Sequence, residues 1–252
     1  MNMKKKILFE ACVDSFESSI IAEKSGADRI ELCADLLEGG TTPSVGTVDL
    51  ATKKLKIPVM VMIRPRAGDF CYSKNEFEEM KRDIELLKNY NAAGFVFGIL
   101  KENGTVDKDR MSELIKLSRP LEVTCHRAFD MTRDPIEALE DLIKLGVKRV
   151  LTSGQELTAH KGIRTIKKLV KLGGKKIIIM PGSGVDENNA AEIIYKCGVN
   201  EIHASARVKV KSKMKFKNLT ATMSDNESMK EYELMKTSGM RLRKIREAID
   251  AI

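Results

Sequence analysis

Short apolar runs recur along this chain, each followed by a longer stretch with the mixed polar and apolar spacing of an amphipathic helix. Runs at 7–13, 58–64, 121–126 and 176–180 read as strands. Four more follow small-residue breaks. Gly26-Ala27 precedes Asp28-Arg29-Ile30-Glu31-Leu32, and Ala93-Gly94 opens into Phe95-Val96-Phe97. Gly146-Val147 precedes Lys148-Arg149-Val150-Leu151, and Gly198-Val199 precedes Asn200-Glu201-Ile202-His203. Glycine suits a helix C-terminus because the left-handed backbone there costs it nothing. Helix starts are marked by Asn75 before Glu76-Phe77-Glu78, by Asp134-Pro135-Ile136-Glu137 and by Asp186 before Glu187. In the second, Asp134 supplies the N-cap, Pro135 the first helical position and Glu137 the third. Eight strand–helix units of roughly 30 residues call for about 240 to 250 residues in a (β/α)8 barrel, and the chain has 252. The pattern therefore predicts an α/β fold, a TIM barrel over 1–252 as a single domain.

Alternation within the strands sorts their side chains. The helix-facing set of a barrel strand must be apolar because helices cover it. Phe9, Ala11 and Val13 then face out and Glu10 and Cys12 in; Ile30 and Leu32 face out, with Glu31 and Cys33 in. Val59, Val61 and Ile63 leave Met60, Met62 and Arg64 inside, and Leu121, Val123 and Cys125 leave Thr124 and His126 inside. Ile202 and Ala204 turn His203 and Ser205 inward, and Ser153 ends its strand opposite Val150 and Thr152. Two carboxylates, two thiols, an arginine and two imidazoles thus share one cavity. A buried carboxylate costs several kcal/mol, of order 3–5 if left without a partner, so Glu10 or Glu31 is expected to contact Arg64 or a protonated histidine. One account is that these charges only satisfy each other; the other is a functional cavity at the C-terminal end of the barrel, where this fold keeps its chemistry.

Two features refine that cavity. Gly182-Ser183-Gly184 and Ser205-Ala206-Arg207 follow the last two strands, the loops that commonly build a phosphate site in this fold. Their backbone N–H groups, a hydroxyl and a guanidinium suit an oxyanion, although a Gly-Ser-Gly triplet also serves as a plain turn. Cys12 and Cys33 lie on adjacent inward-facing strands spaced about 5 Å apart, subject to stagger. Facing thiols suit Cu(I); they also suit a plain role as small fillers. Cys125 faces the helices, Cys197 precedes a cap glycine, Cys71 sits in a loop and His160 is an exposed helix-start residue.

Composition changes little. An apolar fraction of 42% supports a sizeable core, and the lack of a long uncharged apolar stretch argues against a membrane span. Met1 to Lys6 resembles the basic start of a signal peptide, but Glu10 and Asp14 interrupt it too early, which points to the cytoplasm. Five irregularly spaced cysteines fit a reducing compartment. Much of the net charge of +8 comes from Arg207, Lys209, Lys211, Lys213, Lys215 and Lys217. They read as a solvated basic loop, with Arg207 drawing an anion to the mouth, rather than as a nucleic-acid module. Thr220 to Glu231 has little periodicity and reads as a loop over the mouth or an oligomer contact.

Several blocks carry a family resemblance. Glu10-Ala11-Cys12-Val13-Asp14-Ser15, Gly26 to Cys33, Glu38 to Ser44, Met62 to Phe70, His126-Arg127-Ala128-Phe129-Asp130, Leu151 to Gly154 and Met214-Lys215-Phe216 closely resemble the copper homeostasis protein family CutC. Ala67 and Ser183 stand where many members have glycine, and Cys125 where phenylalanine is common. The resemblance implies a (β/α)8 barrel, cytoplasmic and homo-oligomeric, linked to copper trafficking. It also implies that Cys12 and Cys33 match the Cu(I) ligands of animal members. Two functions follow. One is Cu(I) binding by this pair, with Met60 or Met62 nearby. The other is an enzyme in which Arg64, Arg207 and the Gly182 to Gly184 loop hold an anionic, possibly phosphorylated, small molecule while Glu10, Glu31, His126 or His203 moves protons.

Overall fold

Eight parallel strands form the barrel wall in a computed structural model that describes residues 6–218, 220–221 and 231–252. They are β1 (Leu8–Val13), β2 (Arg29–Leu32), β3 (Val59–Met62), β4 (Gly94–Val96), β5 (Glu122–Cys125), β6 (Arg149–Thr152), β7 (Ile178–Pro181) and β8 (Glu201–Ala204). Hydrogen-bonded order runs β7-β6-β5-β4-β3-β2-β1-β8, and β7 lies beside β8 at a seam without a ladder. Each strand is followed by a helix: α1 (Phe16–Lys24), α2 (Val45–Lys54), α3 (Lys74–Leu87), α4 (Lys108–Ser118), α5 (Pro135–Leu145), α6 (Ile163–Gly173), α7 (Ala190–Cys197) and α8 (Gly239–Asp250). The expected TIM barrel is present.

The alternation holds. Phe9, Ala11, Ile30, Leu32, Val59, Val61, Ile63, Val123, Cys125 and Ile202 belong to one core between strands and helices. Cys12, Cys33, Leu36, Met60, Met62 and Val96 form a separate cluster inside the barrel. Helix capping follows local chemistry, with two corrections. Asp134 caps α5 by accepting the Ile136 and Glu137 N–H groups, as expected. For α3 the cap is Ser73 rather than Asn75: its hydroxyl accepts the Glu76 N–H while the Glu76 carboxylate accepts the Ser73 N–H, a reciprocal box that starts the helix at Lys74. Asp186 starts a turn instead of α7; its carboxylate accepts the Asn188 and Asn189 N–H groups, and the helix begins at Ala190.

The basic stretch after β8 is corrected too. Its first half is a strand, β9 (Arg207–Lys211), paired antiparallel with β10 (Glu233–Thr237), a ribbon inserted before α8. The alternation Arg207-Val208-Lys209-Val210-Lys211 marks β9, with Val208 and Val210 half-buried and Lys209 and Lys211 exposed, whereas β10 carries no such pattern. Most of the segment from Thr220 to Glu231, with its reading as a loop over the mouth or an oligomer contact, lies outside the described residues.

Candidate functional site

A charged belt supports the site from below. Arg29 at the start of β2 donates through Nε to Glu10 and through Nη2 to Glu201 at 2.6 Å. Arg149 donates to the same Glu201 oxygen at 2.6 Å and reaches Glu122 at 3.4 Å. The other Glu10 oxygen meets His203 Nδ1 at 2.8 Å. Burial pushes the Glu10 carboxyl up, but Arg29, His203 and Arg149 outweigh it and hold the group below the ordinary carboxylate range. Burial works against the charged form of His203, and Glu31, Cys12 and Glu10 overcome it, so its pKa stands well above the usual histidine value. The imidazole is therefore protonated, with Nδ1–H donating to Glu10.

The expected contact of Glu10 with a protonated histidine is present, whereas the expected pairing of a carboxylate with Arg64 is not. Arg64 Nη1 donates to the Glu38 and Gly40 carbonyls at 2.9 and 2.8 Å, and Nη2 to the Gly68 carbonyl at 3.0 Å. Arg29 fills the role instead. The same alternation that sends Glu31 inward sends Arg29, Arg149 and Glu201 inward, so the signal was present at the strand starts. Charge in this lower layer departs from the branched aliphatic filling usual for the fold.

Above the belt sit the thiols. In the ladder Cys12 lies opposite Glu31, not opposite Cys33, because β1 and β2 are staggered. The two still converge: Cys12 Sγ donates to Glu31 Oε2 at 3.1 Å and Cys33 Sγ approaches it at 3.7 Å. Both sulfurs and a Glu31 oxygen lie within 4.8 Å of one another. The neighbouring Cys33, then burial and Glu31, push the Cys12 thiol well up. Contact with Cys12 lowers the Cys33 value, but burial and Glu31 outweigh it and leave it at about 11. Glu31 is itself raised, by burial and by Glu10, against the pull of His203. A second compact group, Glu10, Glu31 and His203, suits a metal less well, since His203 is protonated and Glu10 is already held by Arg29.

An inner cavity of about 250 Å3 opens beside the thiols, with Glu31, Arg64, His126 and His203 in its wall and Met62, Phe70 and Leu151 as its apolar side. Glu10 does not line it. Glu31 Oε1, Arg64 Nε and His126 Nε2 are buried without a hydrogen-bond partner. His126 Nδ1 accepts the Ala128 N–H at 3.2 Å, which places the imidazole proton on Nε2. Burial and then Arg64 lower the His126 pKa to about 3, so this ring is neutral. Phe70 packs on it with centroids 4.9 Å apart and lies 5.2 Å from the Arg64 guanidinium. Gly98 after β4 makes room for the ring, since a Cβ there would sit 2.9 Å from Ala128 Cβ and 3.0 Å from His126 Nδ1.

An outer cavity of about 430 Å3 shares Cys12, Gly39, Arg127 and His203 with the inner one, and Ser183, Gly184, Ser205 and Arg207 line it. Gly182 does not. Its N–H donates to the Thr152 carbonyl, and its lack of a side chain clears Leu151 Cδ1, which would lie 2.5 Å from a Cβ. Ser183 Oγ donates to the Leu157 carbonyl at 3.0 Å. Arg127 and Arg241 are paired with Asp130 and Glu187, whereas Arg207 has no ion-pair partner among the described residues and its Nη1 is buried without a hydrogen bond. Asp35, Gln155, Ser183 and Ala206, all on loops at this end, hold positive φ, and such backbone conformations cluster at functional sites.

Asp130 was missed by the strand pattern because it lies in a turn. Its carboxylate accepts from Arg127 Nε, Thr152 Oγ1, the Ser153 N–H and hydroxyl, and the Gln155 N–H. It thereby ties the loop after β5 to the loop after β6. Cys125 and Cys197 are buried among apolar side chains, as expected, and His160 is exposed against Glu192.

The sequence model of the CutC family matches residues 7–208. A human protein named copper homeostasis protein cutC homolog is 49% identical over 236 residues, covering 94% of this chain and 86% of that one. A Bacteroides thetaiotaomicron protein named family protein CutC is 47% identical over 239 residues, 94% of this chain and 96% of its own. The crystal structure of a Streptococcus agalactiae copper homeostasis protein CutC superposes with a TM-score of 0.75 at 34% identity, covering 78% of this chain and 97% of that one. No helix of the described residues is long and apolar enough to cross a membrane.

Proposed function

This chain belongs to the CutC family, and from that premise we propose that it binds Cu(I) through Cys12 and Cys33 and serves intracellular copper buffering or trafficking. The observation that carries this reading is the convergence of the two sulfurs and a Glu31 oxygen within 4.8 Å. Thiolates select Cu(I) over harder ions. The Met60 and Met62 thioethers belong to the same apolar cluster as the thiols, and burial shields the pair from water. Titration of the reduced protein against a Cu(I) competitor is expected to show one tight site. Changing both residues, Cys12→Ser with Cys33→Ser, is expected to weaken it by more than the roughly 10- to 100-fold that outer-shell changes cause. His126→Ala leaves it intact. Tight binding that survives the double change would remove the pair from this role.

A second reading is favoured by Arg207, which lines the outer cavity, has no ion-pair partner within 4.0 Å among the described residues and keeps Nη1 without a hydrogen bond. Here the mouth takes an anionic small molecule, held by Arg207, Ser183, Gly184 and Ser205, while Glu31 and His203 exchange protons with the part that reaches inward. Carboxylates and imidazoles in a partly dry cavity can be tuned for such work. Inorganic phosphate is expected to bind the native chain in equilibrium dialysis, and Arg207→Gln to weaken it about tenfold, the value of one charge-assisted contact. Binding indifferent to Arg207 would place the anion elsewhere.

A further inference from the structure

The inner cavity carries an imbalance that neither copper nor an anion at the outer mouth relieves. Arg64 is 5% exposed, and among the described residues its guanidinium donates only to three backbone carbonyls. No carboxylate pairs with it among the described residues; the nearby Asp69 and Glu76 are held by Arg66. A buried cation without a counter-ion is costly. Its Nε–H has no partner among the described residues, and neither has the Nε2–H of His126, which is 4% exposed and, like Arg64, packs against the Phe70 ring. Across the same cavity Glu31 Oε1, in a residue 2% exposed, is an acceptor without a donor.

These three atoms define a ligand by complement. Two N–H donors beside a positive charge call for an anionic acceptor, and one oxygen acceptor calls for a ligand donor. A carboxylate satisfies the two donors with its two planar oxygens. A phosphate would bring more oxygens than there are free donors and set one of them against Glu31. A hydroxyl and an ammonium group both donate, but the hydroxyl brings no second cation into a cavity that already holds the Arg64 side chain. The apolar wall of Met62, Phe70 and Leu151 suits a short carbon body, and a volume of about 250 Å3 limits its size.

We propose that the inner cavity binds a small 2-hydroxycarboxylate, its carboxylate on Arg64 Nε–H and His126 Nε2–H and its hydroxyl donating to Glu31 Oε1. This assignment rests on the small-molecule reading of the mouth and narrows it to a ligand class. Arg64 and His126 then act as binding residues, and the mouth around Arg207 receives whatever extends from the far end of the molecule.

The test compares three ligands with one carbon skeleton, lactate, propionate and alanine, by calorimetry on the full chain, with inorganic phosphate alongside. Lactate is expected to bind saturably and at least about tenfold more tightly than propionate or alanine, the value of one satisfied buried hydrogen bond. With histidine labelled in 15N, the chain has three imidazoles to follow, and lactate is expected to shift the Nε2–H signal of His126 while leaving that of His160 in place. His126→Asn retains a side-chain acceptor for the Ala128 N–H, and its shorter amide no longer places a donor where Nε2–H stood; about a tenfold loss of lactate affinity is expected. The labelled native chain keeps the test intact if that variant does not fold. Equal binding of propionate, tighter binding of alanine, or a silent His126 overturns the assignment. Phosphate binding without lactate binding overturns it while the Arg207 reading stands, and binding of none of the four removes both.

Discussion

Arg29→Met is expected to destabilise the barrel by about 3–5 kcal/mol, the usual cost of removing one partner from a buried ion pair. Arg29 holds Glu10 on one side and Glu201 on the other, and both carboxylates are buried. Methionine fills similar volume beside Met180, whose sulfur lies 3.5 Å from the Arg29 guanidinium, so the loss is electrostatic rather than a cavity. Glu201 keeps Arg149 as its ion-pair partner and Glu10 keeps His203, with Arg149 acting on it from farther away. The pH dependence has a definite sign. The native pKa of Glu10 lies below its ordinary 4.5, so its contribution is present above that value and is lost as pH falls through the lowered one. The deficit of the variant is therefore full at neutral pH and shrinks below about 4.5. Urea unfolding at pH 7 and at pH 4 measures both. Adding Glu10→Gln to the variant is expected to restore part of the loss, since a neutral pair needs no counter-charge. A neutral-pH deficit under about 1 kcal/mol would mean that water reaches the belt and screens it.

The affinity for Cu(I) is expected to climb about 100-fold for each pH unit between about pH 6 and about pH 8. Both thiols are protonated in that range, Cys33 with a pKa of about 11 and Cys12 also well above its ordinary 9.0. For Cys12 the causes are the contact with Cys33, burial and Glu31; for Cys33 burial and Glu31 prevail over the contact with Cys12, which lowers it. A thiolate is the ligand, so loading expels two protons and each contributes a factor of ten per unit. Competition titrations at several pH values, corrected for the competitor's own protonation, give the slope. A slope of one would mean that a single thiol ligates, and a flat profile that neither does. The same raised values leave the empty pair poorly reactive towards oxidants, since the thiolate is the nucleophile.

Residues close in sequence were legible before the fold was known. The alternation in Glu10-Ala11-Cys12 and Glu31-Leu32-Cys33 assigned which side chains face the interior, because a helix-covered face tolerates only apolar groups. The cap at Asp134 was legible for a similar reason, as its partners are two and three residues away. Ser73 was overlooked in favour of Asn75 although the box with Glu76 is equally local. The first strand of the ribbon carried a local signal too, the alternation Arg207-Val208-Lys209-Val210-Lys211, which was read only as a run of charge; its partner β10 has no such alternation and lies across a long connection.

The order of eight strands and helices, the inward set of Cys12, Cys33, Glu10, Glu31, Arg64, His126 and His203, and the loops that meet at the mouth are consequences of period and composition alone. Which of these groups touch was decided by closure of the barrel. His203 meets Glu10 across 193 residues and Arg29 meets Glu201 across 172; the stagger of β1 against β2 put Glu31, not Cys33, opposite Cys12. Arg64 was turned to backbone carbonyls by the loops around it, which left its Nε, like the His126 Nε2 and the Glu31 Oε1, without a partner in residues that line one cavity. Periodicity is a property of a segment and fixes the direction of a side chain. A contact between segments depends on register and stagger, which are set only when all the strands have paired.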